Sequence, residues 1–152
     1  MKRIFCFIAL MSICAVVTYA QKNFNAGQKA LNDNIFAYLQ NEGYVPSIDS
    51  DGDIKFKRNG DIYYVIIRPE ETSPYFIRLQ KYFSYGTRVT KQNILKYVKE
   101  VNSYKMLKCT FTDEQYVLTS EMFLSNSSSF TLIFNRLLRV FDAAEDEFNQ
   151  TL

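Results

Sequence analysis

Residues 49–53 read Asp-Ser-Asp-Gly-Asp, and three carboxylates spaced two apart are the first place to look for chemistry. Hard oxygen donors at that spacing are what a calcium loop uses. The spacing then fails. Counted from Asp49, the glycine that a helix–loop–helix calcium site needs at the sixth position is Ile54, and the bidentate glutamate of the twelfth is Gly60. The flanks are also wrong. Ile54–Lys57 and Ile62–Ile67 read as strands rather than helices, so Asp51-Gly52 is expected to be a tight turn. A weak surface site for calcium at Asp49, Asp51 and Asp53 stays open, and no other metal or cofactor is implied.

The remaining chemical repertoire is thin. The chain has no histidine, which removes the usual general base, the usual catalytic triad and the commonest metal ligand. It has no C-x-x-C, no phosphate-cradling glycine loop and no G-x-S-x-G. Two acidic groups could suggest paired carboxylates: Glu70-Glu71 and the run Asp142–Glu147. The first sits in a Pro-flanked loop, and the second reads as a solvated helix face. Asn126-Ser127-Ser128 and Asn149-Gln150-Thr151 match a glycosylation acceptor pattern too common to carry a function. No catalytic residue is assigned, and the chain is read as not an enzyme.

The N-terminus says where such a protein would act. Lys2 and Arg3 precede an apolar run, Phe5–Val17, and Thr18-Tyr19-Ala20 supplies small residues before a cut. Residues 1–20 are therefore expected to be a signal peptide. The rest would be exported to the periplasm of a Gram-negative cell or beyond it, with no membrane span after cleavage. Residues 21–26 are expected as a short loose arm and 27–152 as one domain. Cys6 and Cys14 leave with the leader. The mature chain then has one thiol, Cys109, whose alternation with Leu107 and Phe111 places it in the core. Removing Lys2 and Arg3 from 18 basic residues leaves 16, against 16 acidic ones. A neutral chain lacks the basic surplus that nucleic acid would require.

Three helices and two groups of strands must position whatever acts. Asn25, with Gln28 three residues on, caps a helix over about 26–42, whose inner face is Leu31, Ile35, Tyr38 and Leu39. Gly43 ends it. Asn59-Gly60 between alternating runs predicts a two-residue hairpin in which Arg58 faces Asp61, Phe56 faces Tyr63 and Ile54 faces Val65. Ile54, Phe56, Tyr63, Val65 and Ile67 then form the core face, and Lys55, Lys57, Ile62, Tyr64 and Ile66 the other. The next strand divides Tyr75, Ile77, Leu79 and Phe83 from Phe76, Arg78, Gln80 and Tyr82. A helix capped by Thr90 follows, then strands over 104–112 and 115–124, then a long helix whose apolar stripe runs from Phe130 to Phe148. The order is α-βββ-α-ββ-α, an α+β fold with helices on one face of an antiparallel sheet.

The stretch from Leu39 to Ile67 combines a helix ending in Glu42-Gly43-Tyr44, an aspartate-bearing turn, Asp53–Lys57, a glycine turn and Tyr63–Ile67. With the element order, it resembles the YbjN family and the type III secretion chaperone-like proteins. The resemblance implies a small, non-enzymatic, often dimeric protein that binds other proteins or acts in stress and motility regulation, and it brings no catalytic residue. Those relatives are mostly cytoplasmic, a departure from the leader read here.

The aromatic content supports an interaction role. Thirteen Phe and eleven Tyr with no Trp are heavy for this length, and only some of them are expected in the core. The strand phases put Ile62, Tyr64, Ile66, Phe76, Arg78 and Tyr82 on the second face of the sheet. Rings bordered by cations are what binding surfaces enrich. The first reading is a non-catalytic module binding a protein partner or itself, as a homodimer. The alternative is a small-molecule binder or enzyme with a pocket between sheet and helices, using Arg68, Tyr75 and Arg78.

Overall fold

The structure is a computed structural model, and residues 22–70, 72–84, 89–112 and 115–151 are described. The leader expected over 1–20 and the turn expected at Asp113-Glu114 lie outside them. The elements run α1 (Ala26–Asn41), β1 (Ser47–Ile48), β2 (Ile54–Arg58), β3 (Asp61–Ile67), β4 (Tyr75–Ser84), α2 (Lys91–Val101), β5 (Lys108–Phe111), β6 (Gln115–Leu124) and α3 (Ser127–Thr151). The six strands form one antiparallel sheet in the order β1-β2-β3-β4-β6-β5. This is the expected α+β architecture, with a two-residue edge strand, β1, added.

Local chemistry explains the boundaries. Asn25 accepts from the Gln28 backbone N–H while the Gln28 side chain accepts from the Asn25 N–H, both at 2.9 Å, a reciprocal capping box. Gly43, at φ +86°, ends α1 in the left-handed region. Asn59 and Gly60 both take positive φ, as a type I′ turn demands. That turn fixes the β2–β3 register at Arg58↔Asp61, Phe56↔Tyr63 and Ile54↔Val65, as the alternation required.

All three helices share one core with one face of the sheet. Leu31, Ile35 and Leu39 of α1, Tyr97 and Val101 of α2, and Phe130, Phe134, Leu137, Leu138 and Phe141 of α3 are buried with Phe56, Tyr63, Val65, Ile77, Leu79 and Leu118. Gln28 is the polar member that ties α1 to the loop after β3. Its Nε2 donates at 3.0 Å to the carbonyls of both Arg68 and Pro69, and the residue is fully buried. Gln28→Leu removes half of the capping box and leaves two carbonyls without their donor. The expected loss is about 2–3 kcal/mol of unfolding free energy, read by urea denaturation. Gln28→Glu, which cannot donate to those carbonyls, should lose a comparable amount.

Three sequence expectations need correction. Residues 22–25 are not a loose arm: Phe24 packs against the core and the Lys22 ammonium pairs with Asp53. The strand expected from Tyr104 begins only at Lys108, because Met106 takes a left-handed φ of +68° that turns the chain out of the sheet. Asp142 and Glu145 are partly exposed but are not merely solvated, because each pairs with a cation of the sheet. Asp142 forks onto the Arg58 guanidinium, with the second contact at 2.8 Å, and Glu145 reaches Lys81. Lys81 was assigned to no face, yet it lies between Leu79 and Phe83 on the core side, only 1% exposed. Its ammonium bonds Asp61 at 2.8 Å as well as Glu145 and lies over the rings of Tyr63 and Phe83, 5.0 and 4.3 Å from their centroids. Burial alone would lower the Lys81 pKa, but the hydrogen bonds to Asp61 and Glu145 outweigh it and hold the group above the ordinary lysine value.

Cys109 is buried, as its alternation required. Burial pushes its thiol up to about 12, so it carries no appreciable thiolate at neutral pH. A disulfide-exchange reagent at pH 8 should leave Cys109 unmodified in the folded protein and label it fully in denaturant. Rapid labelling of the folded chain would contradict the packing. Because the neutral thiol is the form the fold favours, this group costs no stability below its ordinary pKa of 9.0. Above that value its ionisation in the unfolded chain destabilises the fold.

Candidate functional site: the uncovered face of the sheet

Among the described residues every helix lies on one side, and no layer of them covers the other face of the six-stranded sheet. Strand alternation dictates what that face shows. The β3–β4 register sets Tyr64 beside Gln80 and Ile66 beside Arg78, and the β4–β6 register continues these rows to Thr119 and Glu121. One row further along, Phe76 lies beside Phe123. Ile62, Tyr64, Ile66, Phe76 and Arg78 are half-buried by their neighbours, and Tyr82 is 46% exposed. All six residues expected from the sequence therefore share this face.

The side chains there are organised in two aromatic pairs with a charged row between. Tyr64 and Tyr82 meet edge to face, with centroids 5.5 Å apart and planes at 90°. Phe76 and Phe123 meet at 5.2 Å. The Lys55 ammonium lies 5.9 Å from the Tyr64 centroid, and the Arg78 guanidinium 5.3 Å from that of Phe76. Between the pairs, Arg78 donates to Glu121 at 2.9 Å, and Lys108 takes the other carboxylate oxygen. Lys108 first, and Arg78 with it, hold Glu121 below the usual glutamate range. Tyr82 donates to Gln80 at 3.1 Å, and Gln80 donates to Thr119 at 3.0 Å. Such a lattice fixes the rings in place before anything binds, which lowers the ordering cost of association.

The aspartate turn borders this face. Asp49, Asp51 and Asp53 line a hollow of about 320 Å³ together with Tyr64, Ile66, Tyr82 and Gln115. The turn is held by a side chain of its own: Asp49 Oδ1 accepts from the N–H groups of Asp51 and Asp53, each at 2.9 Å. Asp53 is committed to Lys22, and burial raises its pKa despite that partner. Among the described residues no group of three or more His, Cys, Asp or Glu side chains is arranged to hold a metal ion.

Arg68, Tyr75 and Arg78 do not converge on a pocket. Tyr75 lies on the core side with its hydroxyl against Gly27, where a Cβ would clash at 2.1 Å. Arg78 is on the opposite face, and Arg68 is exposed in the loop after β3. Phe123, Glu121 and Lys108 were missed as members of the open face. Alternation within Gln115–Leu124 held the signal, since Val117, Thr119, Glu121 and Phe123 fall on one side of that strand.

Among the described residues, no helix is long and apolar enough to cross a membrane. No protein-family model matches the chain, and no curated protein matches it. A crystal structure of an uncharacterized protein from Methanothermobacter thermautotrophicus is similar at 14% identity and a TM-score of 0.49, covering 77% of this chain and 98% of that one.

Proposed function

We propose that this chain is an exported, non-catalytic protein-interaction module that binds through the uncovered face of its sheet. The periplasm of a Gram-negative cell, or the space beyond it, is the compartment the N-terminal sequence suggests. The observation that carries the binding role is the pair of ring clusters, Tyr64–Tyr82 and Phe76–Phe123, held on a sheet face that no helix among the described residues covers. Antiparallel sheets with one wet face ordinarily keep that face polar; here it presents large rings with cations above them. The dimensions suit a partner. Six strands of 2 to 10 residues, at about 3.3 Å per residue and about 4.8 Å apart, give a face of roughly 600 Å² in projection, before side-chain relief is added. A stable interface buries about 800 Å² on each side. Kinship to the YbjN and secretion chaperone-like proteins is part of this reading. It rests on the Leu39–Ile67 pattern and the order of elements, and it makes a second copy or another protein the partner.

The test is a charge on each tyrosine. Tyr64→Glu and Tyr82→Glu should each weaken association, with itself or with a co-purifying partner, by about tenfold or more. The melting temperature should stay near that of the parent, because neither ring is in the core. Association would be read by light-scattering mass across a concentration series. Unchanged association in both variants would exclude this face.

A further inference from the structure

The sheet is left unfinished along one edge of β6. In the β5–β6 hairpin, Thr112 N donates to Gln115 O at 2.7 Å. Bonded pairs alternate from there, so Val117 and Thr119 turn their backbone groups toward Thr110 and Lys108. Cys109 accordingly turns its own outward, and the Asn102 side chain satisfies both, accepting from Cys109 N at 2.7 Å and donating to Cys109 O at 3.2 Å. The outer edge of β5 is thus capped at Cys109. The edge of β6 beyond it is not. By the same alternation Glu121 and Phe123 point their N–H and C=O groups away from β4, on the side where β5 would lie if it continued. The register would place Met106 opposite Glu121, but the left-handed backbone of Met106 takes the chain out of the sheet, so β5 supplies no partner. A stretch of strand with unpaired backbone groups is a template for another strand.

A groove of about 450 Å³ lies beside this edge, with Phe76 and Phe123 on the open-face side and Tyr104, Leu107 and Met122 on the core side. Phe123 and Met106, which both line it, are 61% and 50% exposed. An added strand alternates its side chains between these two walls. Charge adds a preference. Arg78 and Lys108 share the single carboxylate of Glu121, which leaves one positive charge over at the mouth.

We propose that the β6 edge at Glu121–Phe123 is a strand-addition site for an extended segment of a partner protein. That segment carries alternating apolar side chains flanked by an acidic residue. The proposal rests on the interaction-module reading but uses the edge of the sheet instead of its face. The full chain would be used to select from phage-displayed random nine-residue peptides, with counter-selection on Glu121→Pro. Proline removes the outward N–H and keeps the β4–β6 backbone bonds; it also removes the carboxylate shared by Arg78 and Lys108, which frees positive charge that favours an acidic peptide, so a loss of binding reports the backbone. Peptides with alternating apolar residues and an Asp or Glu should enrich. They should bind the parent about tenfold more tightly than Glu121→Pro or Phe123→Ser and lose binding when their alternate amides are N-methylated. Phe123→Ser, which keeps every backbone donor, serves where the proline variant does not fold. Tyr64→Glu and Tyr82→Glu should leave peptide binding unchanged even where they abolish association through the face. No enrichment over the counter-selected variant, binding indifferent to N-methylation, or binding lost in the tyrosine variants instead would each overturn the edge site.

Discussion

Removing the carboxylates around Lys81 should damage the protein far more than removing the lysine itself. Asp61→Asn with Glu145→Gln leaves a 1% exposed ammonium without a counter-ion. Taking one side out of a buried pair costs about 3–5 kcal/mol, because the remaining charge keeps its desolvation penalty. Lys81→Met leaves two carboxylates that are 48% and 26% exposed, so water reaches them. Its thioether chain fills the slot between the Tyr63 and Phe83 rings, and a loss of about 1 kcal/mol is expected. Urea denaturation of the two variants gives the comparison, and equal losses would contradict it. The pH dependence separates the two further. In the parent the Lys81 pKa is raised above 10.5, so its stabilisation is complete below that value and is lost as pH rises through the folded pKa. Without its carboxylates the buried lysine has a lowered pKa, the unfolded chain binds the extra proton, and stability should rise with pH up to the ordinary value.

Phe134→Ala should be the most damaging single truncation. The ring is fully buried, with centroids 5.6 Å from Tyr38, 5.8 Å from Tyr44, 5.8 Å from Phe56 and 5.2 Å from Phe130. It is the point where α1, α3 and the β2–β3 hairpin meet. Emptying it costs about 3–5 kcal/mol through lost transfer energy and the cavity left behind. For a domain whose total stability is about 5–15 kcal/mol, that is between about a fifth of the total and all of it. Leu132, two residues away on the same helix, is 84% exposed; Leu132→Ala should change stability by no more than about 0.5 kcal/mol. Thermal and urea unfolding of the pair would check the direction of the α3 stripe as well as its weight.

The sequence was most legible where local rules and periodicity agreed. Asn59-Gly60 forced a two-residue turn, and that turn set a register which assigned faces to ten residues of β2 and β3. Asn25 with Gln28, Thr90 and Gly43 marked helix ends for the same kind of reason, since each satisfies or terminates backbone within a few residues. The open face was legible because alternation carries from strand to strand once one register is known. Lys81 was hidden by its type. Spacing alone puts it between Leu79 and Phe83 on the inner face, but a lysine is ordinarily solvated, and the partner that reverses this, Glu145, lies 64 residues away. Asp142 and Glu145 were misjudged for the matching reason. A run of acids on a helix says nothing about which of them meets a cation of the sheet. The start of β5 was misplaced because the left-handed backbone at Met106 has no signature in a residue type that seldom adopts it.

The central claim, that a partner covers the Tyr64–Tyr82 and Phe76–Phe123 face, is tested most directly by side-chain oxidation. Hydroxyl-radical labelling of Tyr82 and Phe123 would be compared between intact cells and dilute purified protein, with Leu132 on the outer side of α3 as the reference. The account predicts that Tyr82 and Phe123 are labelled several-fold less in cells while Leu132 is labelled equally in both. Equal labelling of all three residues in the two settings would contradict it.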